Sequence, residues 1–312
     1  MKKRNQKLKI DTQKKSYSVS DSALFHITSK KKLSQILLTG ADQLKGLASD
    51  DNYHLFTDNS SDKPREIENP SYELDKVQTR IASLICRIKQ PDYMHSGIKG
   101  RSHVSNAQEH VGQHSVLTTD VKSFFPSTTK KMVFKFFRKK MKCPPDVSEI
   151  LSNLCTYSGH IPTGSRISMP LAFWANEPMF SDLHKISSLY TIKMTVFVDD
   201  VTFSGNRIDA LFVRKVEKIM ASYGHKMHPD KTRLYGPSEV KVITGVAVSD
   251  MGIHVTNQQH LNINQDMLQW LITKDVFQIK ELNERLLGRI SSQSLIDARF
   301  ADKARSLKRK FK

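Results

Sequence analysis

The sequence has few cysteines, no long apolar run and no internal repeat, and these absences exclude several classes of protein. Cys86, Cys143 and Cys155 form no close pair and no metal-ligand spacing, so we expect structural thiols in a reducing, cytoplasmic environment. No run of about 18 apolar residues exists, which excludes a membrane-spanning helix. The basic first residues also lack the apolar stretch of a secretion signal. We therefore predict a protein with no membrane partner.

Acidic residues are scarce relative to basic ones. Lysine and arginine number 49, aspartate and glutamate 31, and the formal net charge is +18. A polymer of phosphates is the commonest partner of such a surface, and an anionic membrane surface is the other candidate. Hydrophobic residues make up 38% of 312 residues, enough for a core and for two or three subdomains.

Hydrophobic periodicity predicts strands interleaved with helices. We expect a hairpin or loop over 49–72, a helix on Leu74, Val77, Ile81, Leu84 and Ile88, an irregular segment over 92–115, and a strand over 115–121. Further helices are expected after Thr128 or Thr129, over 169–189, around 208–219 and after 257, with strands over 191–198, 201–204 and 240–248. This order indicates an α+β or α/β core with a helical appendage.

Acidic residues stand at the ends of two predicted strands. Asp199 and Asp200 separate two β-prone apolar runs, which predicts a hairpin with both acids at its tip. By strand alternation Phe197 and Asp199 share one face. Asp120 ends the strand over 115–121, and if that strand lies beside the hairpin, Asp120 and Asp199 meet across the ladder. Adjacent buried acids repel each other, so a divalent cation is expected there.

Three carboxylates on two strands suit Mg²⁺, which accepts oxygen ligands and substrate phosphates. Two such ions, about 3.5–4 Å apart, stabilise the attacking and leaving oxygens of a phosphoryl displacement. Together with the net charge of +18, these residues point to nucleotidyl transfer, although nucleases need similar metals. The carboxylates alone leave the two reactions open.

Ordered sequence blocks over about residues 60–250 resemble those of reverse transcriptases. Phe197-Val198-Asp199-Asp200 resembles the Tyr-x-Asp-Asp box, and Asp120 with the following VKSFFPS resembles the first catalytic block. Similar blocks are Lys63-Pro64-Arg65 of the fingers, 161–168 around Gly164, and Gly224 followed by Lys231-Thr232. Two further blocks resemble retron members, namely Asn106-Ala107-Gln108-Glu109-His110 and Ile243-Thr244-Gly245.

The resemblance departs from the family pattern at three places. Phe197 replaces the usual tyrosine and keeps only the ring, Ser165-Arg166 replaces Ala-Pro, and Ile243 replaces valine. None of these changes removes a carboxylate, so activity is still expected.

The resemblance implies a role for each matching residue. Asp120, Asp199 and Asp200 would be catalytic and hold two Mg²⁺ ions. Phe125 would exclude a ribose 2′-hydroxyl, or simply pack beside Phe124. The remaining nucleotide-binding residues would be Lys63, Arg65, Gly164 and Lys231, and the nucleic-acid contacts would be Asn106, His110, Phe197, Thr244 and Gly245. A surface, loop or turn role is the alternative for most of these residues.

The architecture that the resemblance implies is a right-hand polymerase of α+β class, with fingers, a palm of antiparallel sheet carrying the catalytic hairpin, and a small helical thumb. We expect a basic N-terminal extension over 1–48, the fingers and palm over 49–250, and a basic helical thumb over 251–312.

The implied activity is that of a retron RNA-directed DNA polymerase. It would use dNTPs to copy its cognate structured noncoding RNA, from an RNA 2′-hydroxyl, into branched multicopy single-stranded DNA. It would act with an effector protein in antiphage defence. The alternatives are another bacterial reverse transcriptase, of group II intron or abortive-infection type, and a noncatalytic RNA-binding module.

Overall fold

The computed structural model describes residues 8–59 and 64–310, in which helices and antiparallel strands alternate. The strands are β1 (Tyr53–Asp58), β2 (Arg65–Pro70), β3 (Ser115–Asp120), β4 (Lys193–Phe197), β5 (Asp200–Gly205), β6 (Arg233–Tyr235), β7 (Lys241–Ile243), β8 (Val246–Val248) and β9 (Ile253–His254). The helices are α1 (Lys30–Leu37), α2 (Ala41–Leu47), α3 (Tyr72–Ile85), α4 (His103–Gln108), α5 (Phe124–Ser127), α6 (Lys130–Lys135), α7 (Pro145–Leu154), α8 (Ser168–Leu189), α9 (Ala210–Ser222), α10 (Asn257–Ile272), α11 (Val276–Gln293) and α12 (Arg299–Lys310). The predicted α+β class is confirmed.

The chain forms two compact units, each built from separate stretches of sequence. The first comprises Met1–Asp92, Val121–Ile186 and Arg214–His228, and the second comprises Tyr93–Asp120, Ser187–Val213 and Pro229–Lys312. The boundaries that we predicted at 48/49 and 250/251 are sequence divisions and remain a proposal.

The first unit contains the β1–β2 hairpin and a helical core around α3. The predicted apolar face of α3 is confirmed for Leu74, Val77, Ile81 and Leu84, which are at most 2% exposed. Ile88 is buried as well, but it lies beyond the end of the helix at Ile85. The polar Gln78 is also buried on α3, where it donates hydrogen bonds to the Leu154 carbonyl and the Tyr53 hydroxyl. This bonding removes the cost of burying the amide.

The second unit contains two antiparallel sheets and the last three helices. One sheet has the strand order β4-β5-β3-β6 and the other β7-β8-β9. Apolar residues of α4, β3, β6, β7 and β8 share one core cluster, which includes Val104, Val116 and Ile243. Helices α10–α12 bury a separate cluster around Leu286, Ile290 and Phe300. The helical pattern predicted after residue 257 is thereby confirmed.

Two secondary-structure predictions are wrong. The stretch 240–248 is not one strand but the β7–β8 hairpin, because Thr244 and Gly245 both have positive φ, 46° and 80°. Two consecutive positive φ values are typical of a type I′ turn. Threonine is rare at such positions, so the sequence indicated a turn only weakly. The segment 92–115 is not wholly irregular either, since it includes α4, whose N-terminus is capped by the Ser102 hydroxyl.

Within the described ranges, no helix is long and apolar enough to span a bilayer. The three cysteines are free thiols, and Cys143 and Cys155 are buried, as expected for structural residues.

Candidate active site

The register of the second unit's main sheet places the three predicted acidic residues together. Strand β3 pairs antiparallel with β5, and Asp120 lies directly opposite Asp200. Strand β4 pairs with β5 on the other side, with Phe197 opposite Asp200. The hairpin is held in the sheet by fully buried Val196 and Val201. The predicted convergence of the acids is therefore confirmed, although Asp200 rather than Asp199 is the residue that faces Asp120 across the ladder.

The turn between β4 and β5 has an unusual backbone. Of its two loop residues, Val198 and Asp199, Val198 has a φ of 60°. A β-branched residue rarely adopts this conformation, which a glycine normally supplies at the first position of a type II′ turn. The alternation by which we placed Phe197 and Asp199 on one face therefore stops at Val198.

Ser96 holds this turn, and the sequence patterns did not identify it. The Val198 N–H donates a hydrogen bond of 2.9 Å to the Ser96 hydroxyl, and Ser96 is only 3% exposed. The preceding residues pair with β4, since the His95 N–H donates to the Val196 carbonyl and the Val196 N–H to the Tyr93 carbonyl. Serine has no distinctive spacing here, so only the structure reveals its contact with the turn.

The three carboxylates form one cluster, with a ligand oxygen from each lying within 4.8 Å of the other two. Asp120 is 3% exposed, and Asp199 and Asp200 are half-buried. Burial, together with the charges of Asp120 and Asp200, raises the pKa of Asp199 to about 7. Burial and the charge of Asp120 raise the pKa of Asp200 to about 6. Concentrated negative charge with incomplete hydration is therefore the main electrostatic property of this site.

Lys231 compensates part of that charge. It ends a short turn over Pro229–Lys231, and its Nζ lies 2.9 Å from Asp120 Oδ1. The turn is tied to β3 by a hydrogen bond of 2.8 Å between the hydroxyls of Thr119 and Thr232. Burial opposes the lysine's charge, but the hydrogen bond to Asp120 and the three carboxylates outweigh it and raise the pKa of Lys231. One cation thus faces three carboxylates.

The cluster fits a divalent cation. Carboxylate oxygens are the ligands that Mg²⁺ and similar hard cations prefer, and a dication would relieve the repulsion that raises the two aspartate pKa values. In the described part of the chain, no other group of three histidine, cysteine or acidic residues has this spacing. Asp120, Asp199 and Asp200 are therefore the residues that would hold the metal.

A cavity of about 330 Å³ opens beside the carboxylates in the same unit. Its wall carries several hydroxyls, two cationic and two acidic side chains, which suits a polar ligand. The lining residues include Thr118, Thr202, Asp200, Lys231, Arg233 and Thr244.

The residues of the first unit that we predicted to contact nucleotide differ in their exposure to solvent. Arg65 is the first residue of β2 and is exposed, while Lys63 lies outside the described residues. Phe125 is half-buried with its ring centroid 5.8 Å from that of Phe124, and Phe124 is 3% exposed. Phe124 thus supplies the core packing, and the ring of Phe125 remains partly open to a ligand.

Glycine is required at position 164 for a structural reason that the sequence did not reveal. A Cβ at this position would lie 2.7 Å from the Glu68 carbonyl oxygen of β2. Only glycine permits that approach of two backbone segments. Its contact in the structure is with the β1–β2 hairpin, and a role against nucleotide remains a proposal.

The burial of Asn106 and His110 disagrees with the nucleic-acid contacts predicted for them. They are 1% and 0% exposed. The His110 ring nitrogens lie 2.7 Å from the hydroxyls of Ser204 on β5 and Thr195 on β4. Burial lowers the pKa of His110 to about 3, so the ring is neutral. We therefore correct the prediction: both side chains are buried, and His110 supports the sheet that carries the acids from within.

The other predicted nucleic-acid contacts are more accessible. Phe197 is half-buried beside the turn, and Gly245 is exposed at the β7–β8 turn. Thr244 lines the cavity, and its hydroxyl donates to the His103 carbonyl at 2.9 Å. Thr244 and Gly245 thus form a turn that faces solvent, rather than the interior of a strand as predicted.

Comparison with known proteins agrees with the sequence blocks. No family model matches the chain. The retron Se72 reverse transcriptase of Salmonella heidelberg is 31% identical over 150 residues, which are 46% of this chain and 38% of that protein. The retron Ec86 reverse transcriptase of Escherichia coli is 24% identical over 202 residues, which are 64% of this chain and 63% of that protein.

The chain is thus similar in sequence to bacterial retron reverse transcriptases. The resemblance predicted from its motif blocks is thereby confirmed. The matches span less than two thirds of either relative's length. Among solved structures, a foamy viral protease-reverse transcriptase in complex with RNA/DNA hybrid has a TM-score of 0.48 and 14% identity, covering 82% of this chain and 30% of that chain.

Proposed function

We propose that the chain is a reverse transcriptase of retron type, an RNA-directed DNA polymerase. The observation that carries this proposal is the convergence of Asp120, Asp199 and Asp200 within 4.8 Å, on the paired strands β3 and β5 and the turn before β5. Its support is the similarity to retron reverse transcriptases and the net charge of +18, which suits a nucleic-acid substrate.

The protein's own residues prepare the site for nucleotidyl transfer. The three carboxylates would hold Mg²⁺, which when bound lowers the pKa of an attacking hydroxyl and neutralises phosphate charge. Lys231 stands 2.9 Å from Asp120 and 56% exposed, so its ammonium can also reach a phosphate beside the carboxylates. The strained turn at Val198, held by Ser96, orients Asp199 and Asp200 before substrate arrives.

The assignments outside the carboxylate cluster are part of this proposal. Arg65 and Lys63 would bind the triphosphate, and Phe125 would select deoxynucleotides with its partly open ring. Phe197, Thr244 and Gly245 would contact the primer or template strand. The fingers, palm and thumb would correspond to the sequence divisions given above.

Primer extension tests the polymerase proposal. Wild type should incorporate labelled dNTP on an RNA template in the presence of Mg²⁺, and Asp199→Asn with Asp200→Asn should lose about 10³-fold or more, since several kcal/mol of charge stabilisation disappears. Asp250→Asn with Glu281→Gln is the matched control, because it neutralises two exposed carboxylates of the same unit. Incorporation that survives the first pair of substitutions would refute the assigned site.

The finer proposal concerns substrate and biology. The similarity to retron proteins supports a cognate structured noncoding RNA as template, priming from an RNA 2′-hydroxyl, and a branched RNA–DNA product made with an effector protein in antiphage defence. Sequencing of nucleic acid that co-purifies with the expressed chain and its flanking locus tests this. One defined branched RNA–DNA species is expected, whereas a random sample of cellular RNA would contradict the retron assignment and leave the polymerase proposal standing.

A further inference from the structure

A strongly basic helical segment in the first unit plays no part in the proposed reaction. Seven of the thirteen residues over 130–142 are lysine or arginine and none is acidic. Lys130 pairs with Glu149 at 2.7 Å, and Lys140 with Glu177 at 2.8 Å. The remaining five have no acidic partner among the described residues: Lys131, Lys135, Arg138, Lys139 and Lys142. This excess of positive charge favours binding of a polyanionic partner.

The segment changes its helical geometry in the middle. After α6 it continues as a π-helical turn over Phe136–Lys140, in which the Met141 N–H donates to the Phe136 carbonyl at 3.0 Å. Such wide turns are rare and occur frequently at functional sites. Here Phe136 is 4% exposed, whereas Lys135 and Lys139 are exposed. The turn thus presents two cations beside an apolar interior.

Those cations border a cavity of about 380 Å³. Phe136 and Trp174, each 4% exposed, line it and are stacked with ring centroids 6.3 Å apart. Lys140 lies with its Nζ 5.5 Å from the Trp174 ring centroid. Met132, Ala175, Pro178 and Tyr223 also line the cavity, together with the polar Asn176 and with Glu177, whose charge is paired with Lys140. The volume and apolar lining are those of a site for a compact, largely apolar group.

We propose that this cleft binds single-stranded nucleic acid, with one base in the apolar cavity and its flanking phosphates on Lys135 and Lys139. A phosphate chain matches five uncompensated cations over twelve residues. A single strand is required because only an unpaired base can leave the stack and enter a cavity. The cleft lies within the first unit, and none of its lining residues belongs to the carboxylate cluster.

Fluorescence anisotropy with a labelled oligothymidine of about twelve nucleotides, a length within the usual range of single-strand sites, tests this proposal. Lys135→Gln with Lys139→Gln should weaken binding about tenfold at 100 mM salt and lower the salt slope by about 1.4, since about 0.7 is lost for each phosphate contact. An abasic strand of equal length should bind wild type at least about fivefold more weakly, because base stacking is lost. Photo-crosslinking through 4-thiothymidine should label the peptides that carry Met132 or Tyr223.

The matched control is Lys31→Gln with Lys32→Gln, which removes two exposed lysines of α1 in the same unit. An equal loss in this control, equal binding of the abasic strand, or crosslinks confined to other peptides would overturn the proposal. So would displacement of the strand by polyglutamate as effectively, charge for charge, as by unlabelled oligonucleotide, since the cleft would then be a site for acidic peptides. The assay contains no dNTP, so its outcome is independent of whether the chain is a polymerase.

Discussion

Two polar clusters lie on the same sheet of the second unit, and their surroundings differ. The carboxylate cluster consists of Asp120, Asp199 and Asp200, and the histidine cluster consists of His110 with the hydroxyls of Thr195 and Ser204. In the carboxylate cluster, like charges stand within 4.8 Å and one lysine compensates them. In the histidine cluster, both ring nitrogens have a hydroxyl 2.7 Å away and the ring is neutral.

This difference shows how a site that can bind a ligand is distinguished from buried polar groups that only stabilise the fold. Both clusters come from blocks that resemble reverse transcriptases, and both contain deeply buried groups, so neither resemblance nor burial separates them. What separates them is whether their charges are compensated and their hydrogen bonds filled, because a neutral group with all its hydrogen bonds filled has none free for a ligand. The histidine cluster should therefore affect stability, and the carboxylate cluster should affect catalysis.

The largest expected effect on stability comes from His110→Ala. It removes a ring that is 0% exposed and leaves two buried hydroxyls without their partner, which should lower the free energy of unfolding by about 2–4 kcal/mol. Urea denaturation followed by circular dichroism measures this. His54→Ala, at an exposed histidine, is the control and should change stability by less than about 0.5 kcal/mol. Equal effects would show that the histidine cluster is not a support.

A somewhat smaller effect should appear on acidification. Burial lowers the pKa of His110 to about 3, below its ordinary value, so the unfolded chain binds the proton more readily. Stability is therefore full above about pH 6.5 and decreases as the pH falls, by about 2 kcal/mol from this residue at pH 5. The comparison is between wild type and His110→Gln at pH 7.5 and pH 5. The same loss in both proteins would mean that another group causes the pH dependence.

The smallest effect should come from the turn that positions the carboxylates. Ser96→Ala removes the hydroxyl that accepts from the Val198 N–H, and a small displacement of Asp199 and Asp200 should lower polymerase turnover about tenfold with little change in KM for dNTP. Ser291→Ala, at an exposed serine of α11, is the control.

A second substitution separates positioning from general destabilisation. Val198→Gly adopts the positive φ without strain, so it should restore part of the turnover of Ser96→Ala. Absence of any recovery in the double variant would contradict the positioning role of Ser96.

Much of the fold and the central part of the site could be predicted from the sequence. The hairpin with Asp199 and Asp200 was predictable because apolar β-prone residues flank two acids, and the helix α3 because its buried face repeats at helical spacing. The β7–β8 hairpin was not, since Thr244 is a poor turn former and the mostly apolar stretch over 240–248 fits one strand equally well.

The surroundings of individual polar residues could not be predicted. Nothing in the spacing of Asn106 and His110 distinguishes a buried pair from a surface pair, because burial depends on which strands pack against α4 and its C-terminal turn. The same holds for Gly164, whose need for glycine comes from Glu68, which is distant in sequence. The role of Ser96 likewise depends on a tertiary contact, its hydrogen bond with the Val198 N–H, rather than on local pattern.

The most direct measurement of the central claim is cation binding by the carboxylate cluster itself. Titration of the metal-free full chain with Mn²⁺, followed by electron paramagnetic resonance of the free ion, should show bound Mn²⁺ in wild type and in Asp250→Asn with Glu281→Gln. Asp199→Asn with Asp200→Asn should lose that binding, because two of the three clustered carboxylates become neutral. Undiminished Mn²⁺ binding in the Asp199→Asn, Asp200→Asn variant would contradict the account.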